Sequence, residues 1–260
     1  MFYLVAGVAA FFYYYLKKQI SELREQALNL ENEFSSLHKT YEKALTEMAV
    51  GTMKMTTHHY MTASSKNASS NYPNKIKRLT YEIKQISTFL PIYYSNAIFV
   101  QYDESQMDYM KALIMGAEDT PYSHGAFLFD IYFDDTYPLS PPKVNLMTTG
   151  GGKIRFNPNL YRYGGKGEIW TENSNLLQVL LSIQSLVMTE GVIYNEPNLS
   201  YYKNKPSGND TTIYKKQDVG YMNIVKYGNV KYAMNGMLTN PPKGFEDVIK
   251  KHFYYKKNDK

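Results

Sequence analysis

The 260-residue chain contains no cysteine. Disulfides, thiolate nucleophiles, cysteine-ligated zinc and iron–sulfur clusters are therefore excluded, and no cofactor or metal is expected. It has 26 tyrosines but a single tryptophan, Trp170. No apolar run reaches the roughly 20 residues that a full membrane span wants. Lysine and arginine are not interleaved with aromatics on a recognisable platform, which argues against nucleic acid as a partner. Charge is unevenly shared: residues 17–50 carry about −1, 72–202 about −3 and 203–260 about +7. A basic tail suits phosphate, anionic lipid or an acidic partner; the plainer account is a solvated surface that keeps the chain in solution.

What is there begins with an apolar and aromatic run over residues 2–16, followed by Lys17 and Lys18. The run is short for a span, but lysines that snorkel and interfacial tyrosines at 13–15 would extend it. Positive charge after the run, and tyrosines where small residues would be cleaved, fit a signal peptide poorly. Residues 1–18 are therefore expected to be a single-pass N-terminal membrane anchor, mitochondrial ahead of endoplasmic reticulum; burial in a protein partner is the alternative. From Ile20 a heptad stripe follows: Ile20, Leu23, Ala27, Leu30, Phe34, Leu37, Tyr41, Ala44 and Met48. Residues 19–55 thus read as a long helix whose stripe pairs with a helix of another subunit. Residues 56–71, rich in Ser, Thr and Asn, read as a linker with His58 and His59 exposed.

Residues 74–91 have amphipathic helical spacing. Strands are expected at 97–102, 111–116, 125–133 and 143–147; Phe127, Phe129, Ile131 and Phe133 alternate with smaller or polar residues. Residues 175–189 form an apolar helix that Asn173 or Ser174 would cap. Two more helices are expected at 218–238 and 244–255. Helix, four consecutive strands, then helices makes an α+β domain over 72–257, a meander sheet with helices on one side.

Within it, Tyr137-Pro138-Leu139-Ser140-Pro141-Pro142-Lys143-Val144 carries three prolines in five residues, incompatible with helix or central strand, and reads as a rigid extended corner. This corner resembles the one leaving the third strand of ubiquitin-conjugating enzymes. Upstream, Asp119-Thr120-Pro121-Tyr122 is similar to the family's approach to it. Downstream, Arg155-Phe156-Asn157-Pro158-Asn159-Leu160-Tyr161 resembles the stretch entering the active site, and Tyr194-Asn195-Glu196-Pro197 the exit from the next helix. Residues 149–161 resemble most the conjugating domain of the giant inhibitor-of-apoptosis proteins. The resemblance implies a ubiquitin-conjugating (UBC) fold over 72–257.

It also implies a cysteine shortly after Tyr161, and here the chain departs. By spacing, Gly167 or Glu168 stands at that position, and about a dozen residues of the following loop are missing. Glycine has no nucleophile, and a carboxylate could form only a mixed anhydride. Asn159 matches the family's oxyanion-stabilising asparagine; without a thioester it reads as a turn-holding residue beside Asn157. The chain is thus expected not to be an enzyme. Two functions follow: a structural subunit of a membrane-bound assembly, or a variant that binds ubiquitin or an active conjugating enzyme. Other signals are weaker. Residues 148–153 lack a phosphate-loop frame and read as a hairpin. Asp134 and Asp135 sit where Asp commonly turns a chain. Trp170 is expected to cover the shortened loop.

Overall fold

A computed structural model of the chain describes residues 2–61, 72–161, 170–196, 199 and 209–257. From Ile20 no Gly or Pro occurs before Gly51, and the helix runs on from the apolar start as α1 (Phe2–Leu45), 44 residues long and so roughly 66 Å at 1.5 Å per residue. Its apolar end runs into Lys17 and Lys18 without a break. Among the described residues no helix is long and apolar enough to cross a membrane, so the expected single-pass anchor finds no span here.

After a turn of 3-10 helix (Thr46–Met48) the chain enters β1 (Val50–Thr52). This strand was not expected. It pairs in parallel with β2 (Ile98–Tyr102), Val50 opposite Val100, and puts a fifth strand on the sheet. Helix α2 (Tyr72–Phe89) follows. β2, β3 (Tyr109–Met115), β4 (Ala126–Tyr132) and β5 (Lys143–Leu146) form the expected antiparallel meander, and the sheet order is β1-β2-β3-β4-β5. β3 lies at the centre and every one of its residues is buried, as expected of an apolar run covered on both faces.

Both faces are in fact covered, which corrects the one-sided packing read from the sequence. One face presents Ile98, Val100, Ala112, Ile114, Phe127 and Phe129 to α2 and to α3 (Leu176–Ser182). The other presents Phe99, Leu113, Met115 and Ala126 to Tyr41 and Leu45 at the end of α1, to Ala49 beyond the 3-10 turn, and to Val248 and Ile249 of α6 (Glu246–Lys256). The last turns of α1 are therefore part of the UBC-like body. The boundary drawn at residue 72 fell too late, because periodicity marks an apolar face without saying what covers it. The stripe divides: Tyr41 is fully buried, whereas Ile20, Leu23, Leu30, Phe34 and Leu37 keep a third or more of their surface in solvent.

The expected linker is corrected as well. Residues 62–71 lie outside the described residues, but 53–61 pack as an arm over the lower part of the same face. Met55 donates its N–H to Asp103 (2.8 Å), and His59 donates its N–H to Asp130 Oδ2 (2.7 Å). His58, expected in solvent, is buried with Nε2 3.1 Å from the Met110 carbonyl. Beneath it Lys111 and Asp130, opposed across β3 and β4, form a buried ion pair at 2.5 Å. α4 (Asn209–Gly228) continues through a π-helical stretch, Asn229–Gly236, into the short α5 (Met237–Thr239).

Candidate functional site

The proline corner hangs on a buried carboxylate. Glu82, on the inner side of α2, accepts from Tyr137 Oη at 2.6 and 2.7 Å, from Arg78 Nε at 2.5 Å and from the Leu176 N–H at 2.8 Å. One side chain thus joins α2, the corner and the start of α3. Burial, then the Glu82 charge, pushes the Tyr137 phenol far above its ordinary range. For Arg78, burial pulls the pKa down, but the Glu82 hydrogen bond and charge outweigh it and the guanidinium stays cationic. Residues 135–139 form a turn rather than the extended segment expected, with Tyr137-Pro138 a cis peptide bond; Pro142 is buried and Pro141 half-buried. Trp170 donates Nε1–H to the Pro138 carbonyl at 2.7 Å and sits against Tyr137, with ring centroids 6.0 Å apart.

Asp134 and Asp135 do not form a catalytic pair. Asp134 accepts from Thr136 N and Oγ1 and faces Lys143; burial would raise its pKa, but these partners outweigh it and hold it below the usual carboxylate value. Asp135 instead joins Asp108 around the buried Lys75 ammonium, at 3.3 and 2.8 Å. The 148–153 segment is a tight turn leading out of β5 into irregular chain rather than into a strand. Gly150 has φ +63, and a Cβ there would strike the Tyr232 ring at 2.4 Å.

The stretch that follows is built around Asn157. Its carboxamide is fully buried, donating to the Val187 carbonyl (2.8 Å) and accepting from the Asn159 N–H (2.9 Å). Tyr122, buried and with its pKa pushed up by that burial, donates its hydroxyl to the Phe156 carbonyl at 2.8 Å. The turn-holding side chain is thus Asn157; Asn159 contributes its backbone and is exposed. Gly167 and Glu168 lie outside the described residues. α3 is capped by Asn175, one residue beyond the expected caps, with Gln178 completing a capping box. It ends in a π-helical turn, Ile183–Val187, where buried Gln184 donates to the carbonyls of Ala97 and Met115. Among the described residues no group of three or more His, Asp or Glu could hold a metal ion.

The family profile for ubiquitin-conjugating enzymes matches residues 78–225, from α2 through the proline corner and the Asn157 turn into α4. The chain belongs to the ubiquitin-conjugating enzyme family. It is 39% identical over 213 residues to the human dual E2 ubiquitin-conjugating enzyme/E3 ubiquitin-protein ligase BIRC6, an alignment covering 77% of this chain and 4% of that protein. Over 196 residues it is 37% identical to ubiquitin-conjugating enzyme protein 17 of Caenorhabditis elegans, covering 71% of this chain and 26% of the relative. With ubiquitin-conjugating enzyme E2 38 of Arabidopsis thaliana the identity is 34% over 215 residues, 78% of this chain and 61% of the relative. The chain therefore spans less than two thirds of each. This chain has no cysteine at any of its 260 positions.

The site thus keeps its frame without a sulfur nucleophile. Around Asn157 two buried polar side chains are engaged, Tyr122 Oη with Phe156 and the Asn157 amide with Val187 and Asn159. Sequence reasoning missed Glu82, Gln184 and the Lys111–Asp130 pair. The signal for the last was present: one lysine in the apolar run 109–115 and one aspartate in 126–133 ask for each other, because a lone buried charge is untenable.

Proposed function

We propose that this chain is a non-catalytic UBC-like subunit of a protein assembly, its UBC-like body acting as a packing and binding module carried on α1. The observation that bears this reading is the absence of cysteine. Thioester formation needs a thiolate, and no residue of the chain can supply one. Supporting it, the proline corner and the Asn157 turn are built for packing, and α1 leaves a long apolar stripe uncovered. The apolar start of α1, with Lys17 and Lys18 behind it, is proposed to lie at a membrane interface, mitochondrial ahead of endoplasmic reticulum.

A second reading is supported by family membership: the body binds ubiquitin or an active conjugating enzyme without carrying ubiquitin itself. Incubating the full chain with ubiquitin-activating enzyme, ubiquitin and ATP tests both. The expected outcome is no covalent adduct under reducing or non-reducing conditions; an adduct would overturn the first proposal. Titration with isotope-labelled ubiquitin then separates the two, since shifts at millimolar concentration or below belong only to the second.

A further inference from the structure

Two stretches of the body that contain no Asp or Glu, residues 143–161 and 219–245, meet on its surface. The Tyr232 ring lies over Gly150, and Ile154 and Phe156 lie against Gly228. Next to this junction, the outward side of α4 and its π-helical continuation carries Ile224, Tyr227 and Val230, 54%, 57% and 60% exposed. Lys226 and Lys231, both exposed, stand among them; residues three and four apart share a helix side, so the five form one patch. Lys231 Nζ donates to Tyr227 Oη at 2.9 Å and lies 5.3 and 5.5 Å from the ring centroids of Tyr227 and Tyr232. Lys153, exposed at the end of the glycine turn, adds a third ammonium. Among the described residues none of Lys153, Lys226 and Lys231 pairs with a carboxylate. Glu196 is taken by Arg155 at 2.8 Å, and Asp218 is buried and accepts from the Ile193 N–H. Glu190 and Asp119 lie beyond Val219, in the groove that Lys215 borders.

We infer that this face rests on the surface of an anionic lipid bilayer, with Lys153, Lys226 and Lys231 among the headgroups and Ile224, Tyr227 and Val230 at the acyl boundary. The combination decides it. Unpaired lysines alone would suit any polyanion, and exposed apolar side chains alone any apolar surface. Here the two are interleaved on the outward side of one helix, and no acid of either stretch is present to repel an anionic headgroup. A lysine stem lies along apolar material while its ammonium stays in the polar layer, and tyrosine settles at the same depth. Helices that lie in the plane of the interface are built this way. An acidic protein would satisfy the lysines but anchors its own large side chains in recesses. The side chains of this face border neither the groove at Leu30, Phe34 and Leu37 nor the one at Leu186, Val219 and Met222. The inference adds a second contact to the membrane reading proposed for α1 and rests on that reading for the presence of a bilayer, but it concerns a different surface.

The absence of native cysteine allows a single fluorophore to be placed on this face of the full chain, at Val230→Cys. With an environment-sensitive dye there, vesicles of phosphatidylcholine containing about 30% phosphatidylserine should shift its emission to the blue, and vesicles of pure phosphatidylcholine should not. Lys226→Glu with Lys231→Glu should weaken the apparent dissociation constant of that shift at least about tenfold, whereas Lys226→Arg with Lys231→Arg should retain it. All three positions are exposed, so the fold should survive, as circular dichroism would verify. Silence on anionic vesicles, an equal shift on neutral ones, or a response indifferent to the charge reversal would each overturn the inference. A shift with poly-glutamate and none with vesicles would assign the face to an acidic protein and overturn it as well. Flotation of the unlabelled chain with neutral vesicles reads the α1 contact separately. A chain that floats while the dye stays silent would sink this inference and leave the α1 reading standing; a dye that responds to anionic vesicles in a chain that does not float with neutral ones would do the reverse. None of these outcomes bears on ubiquitin transfer, which the adduct assay reads.

Discussion

The two halves of α1 are written in one heptad pattern and end in opposite environments. Below Leu37 the stripe is core: Tyr41 and Leu45 have no exposed surface and lie against Tyr94, Val248 and Ile249. Above it, side chains of the same size at the same spacing face solvent. Covering a side chain such as Leu45 is worth about 1.5–3 kcal/mol, so the lower half belongs energetically to the body and the upper half is free to associate. The contrast teaches that a stripe states an obligation to be covered and leaves open by what. Here the body's second sheet face covers one half, and it can reach no further than Phe34.

The widest separation between the halves should come from Tyr41→Ala. Tyr41 packs edge-on against Tyr94, His252 and Tyr255 and places its hydroxyl 2.9 Å from His252 Nδ1. His252 Nε2 faces the His124 carbonyl at 3.2 Å and so carries the ring proton, leaving Nδ1 to accept from Tyr41. Burial, then neighbouring Tyr94, raises the Tyr41 phenol far above its ordinary value, so it is always a donor. Truncation removes a large buried ring and strands an acceptor. A loss of about 3–5 kcal/mol is expected in urea unfolding of the full chain, with α1 detaching from the sheet. A loss under about 1 kcal/mol would place the lower half outside the core and erase the contrast.

How much of this was legible in the residues differs along the chain. Alternation at Phe127, Phe129, Ile131 and Phe133 announced β4, and the proline-rich corner announced the family, because both signals are local. β1 was not legible: Val50-Gly51-Thr52 has no alternation, and its parallel pairing with β2 is a tertiary event across 50 residues. The cap of α3 moved to Asn175, within the usual uncertainty of helix ends. The π-helical turn that sets Gln184 against the sheet leaves no periodic trace. In the candidate site, Asn157 and Asn159 were both named, but which one holds the turn depends on the Val187 carbonyl 30 residues away. His58 was misread because a Ser- and Thr-rich surround says nothing of Asp130, which anchors the neighbouring backbone.

That arm offers a smaller effect, switchable by pH. Burial lowers the His58 pKa below 6.5; Lys111 adds to this, and Asp130 with the Met110 and Ile131 backbones opposes it. Tyr60 and Tyr109 complete its surroundings. With Nε2 on a carbonyl and Nδ1 accepting from Tyr60 N–H at 3.3 Å, the folded ring is held neutral. The unfolded ring takes its proton near 6.5 and the folded ring only at lower pH. Between the two the unfolded state binds more protons, so this contribution is present above 6.5 and is lost as pH falls toward the folded value. Amide exchange over 53–61, corrected for its intrinsic pH dependence, should therefore speed up between about pH 7.5 and 5.5, each unit of difference being worth about 1.4 kcal/mol. His58→Gln should flatten the response, while the exposed half of α1 shows none.

The smallest effect is the most discriminating. Leu23→Ala removes a side chain of the same kind and heptad class as those in the docked half, at a site 62% exposed in the single chain. Leucine and alanine differ little in helix propensity, so α1 itself should not notice. If nothing within the chain covers Leu23, unfolding of the body measured well below the concentration of any association should shift by no more than about 0.5 kcal/mol. A loss of 2 kcal/mol or more in dilute solution would mean that Leu23 is already buried within its own chain. The two halves of α1 would then be one continuous core helix, and the contrast between them would be false.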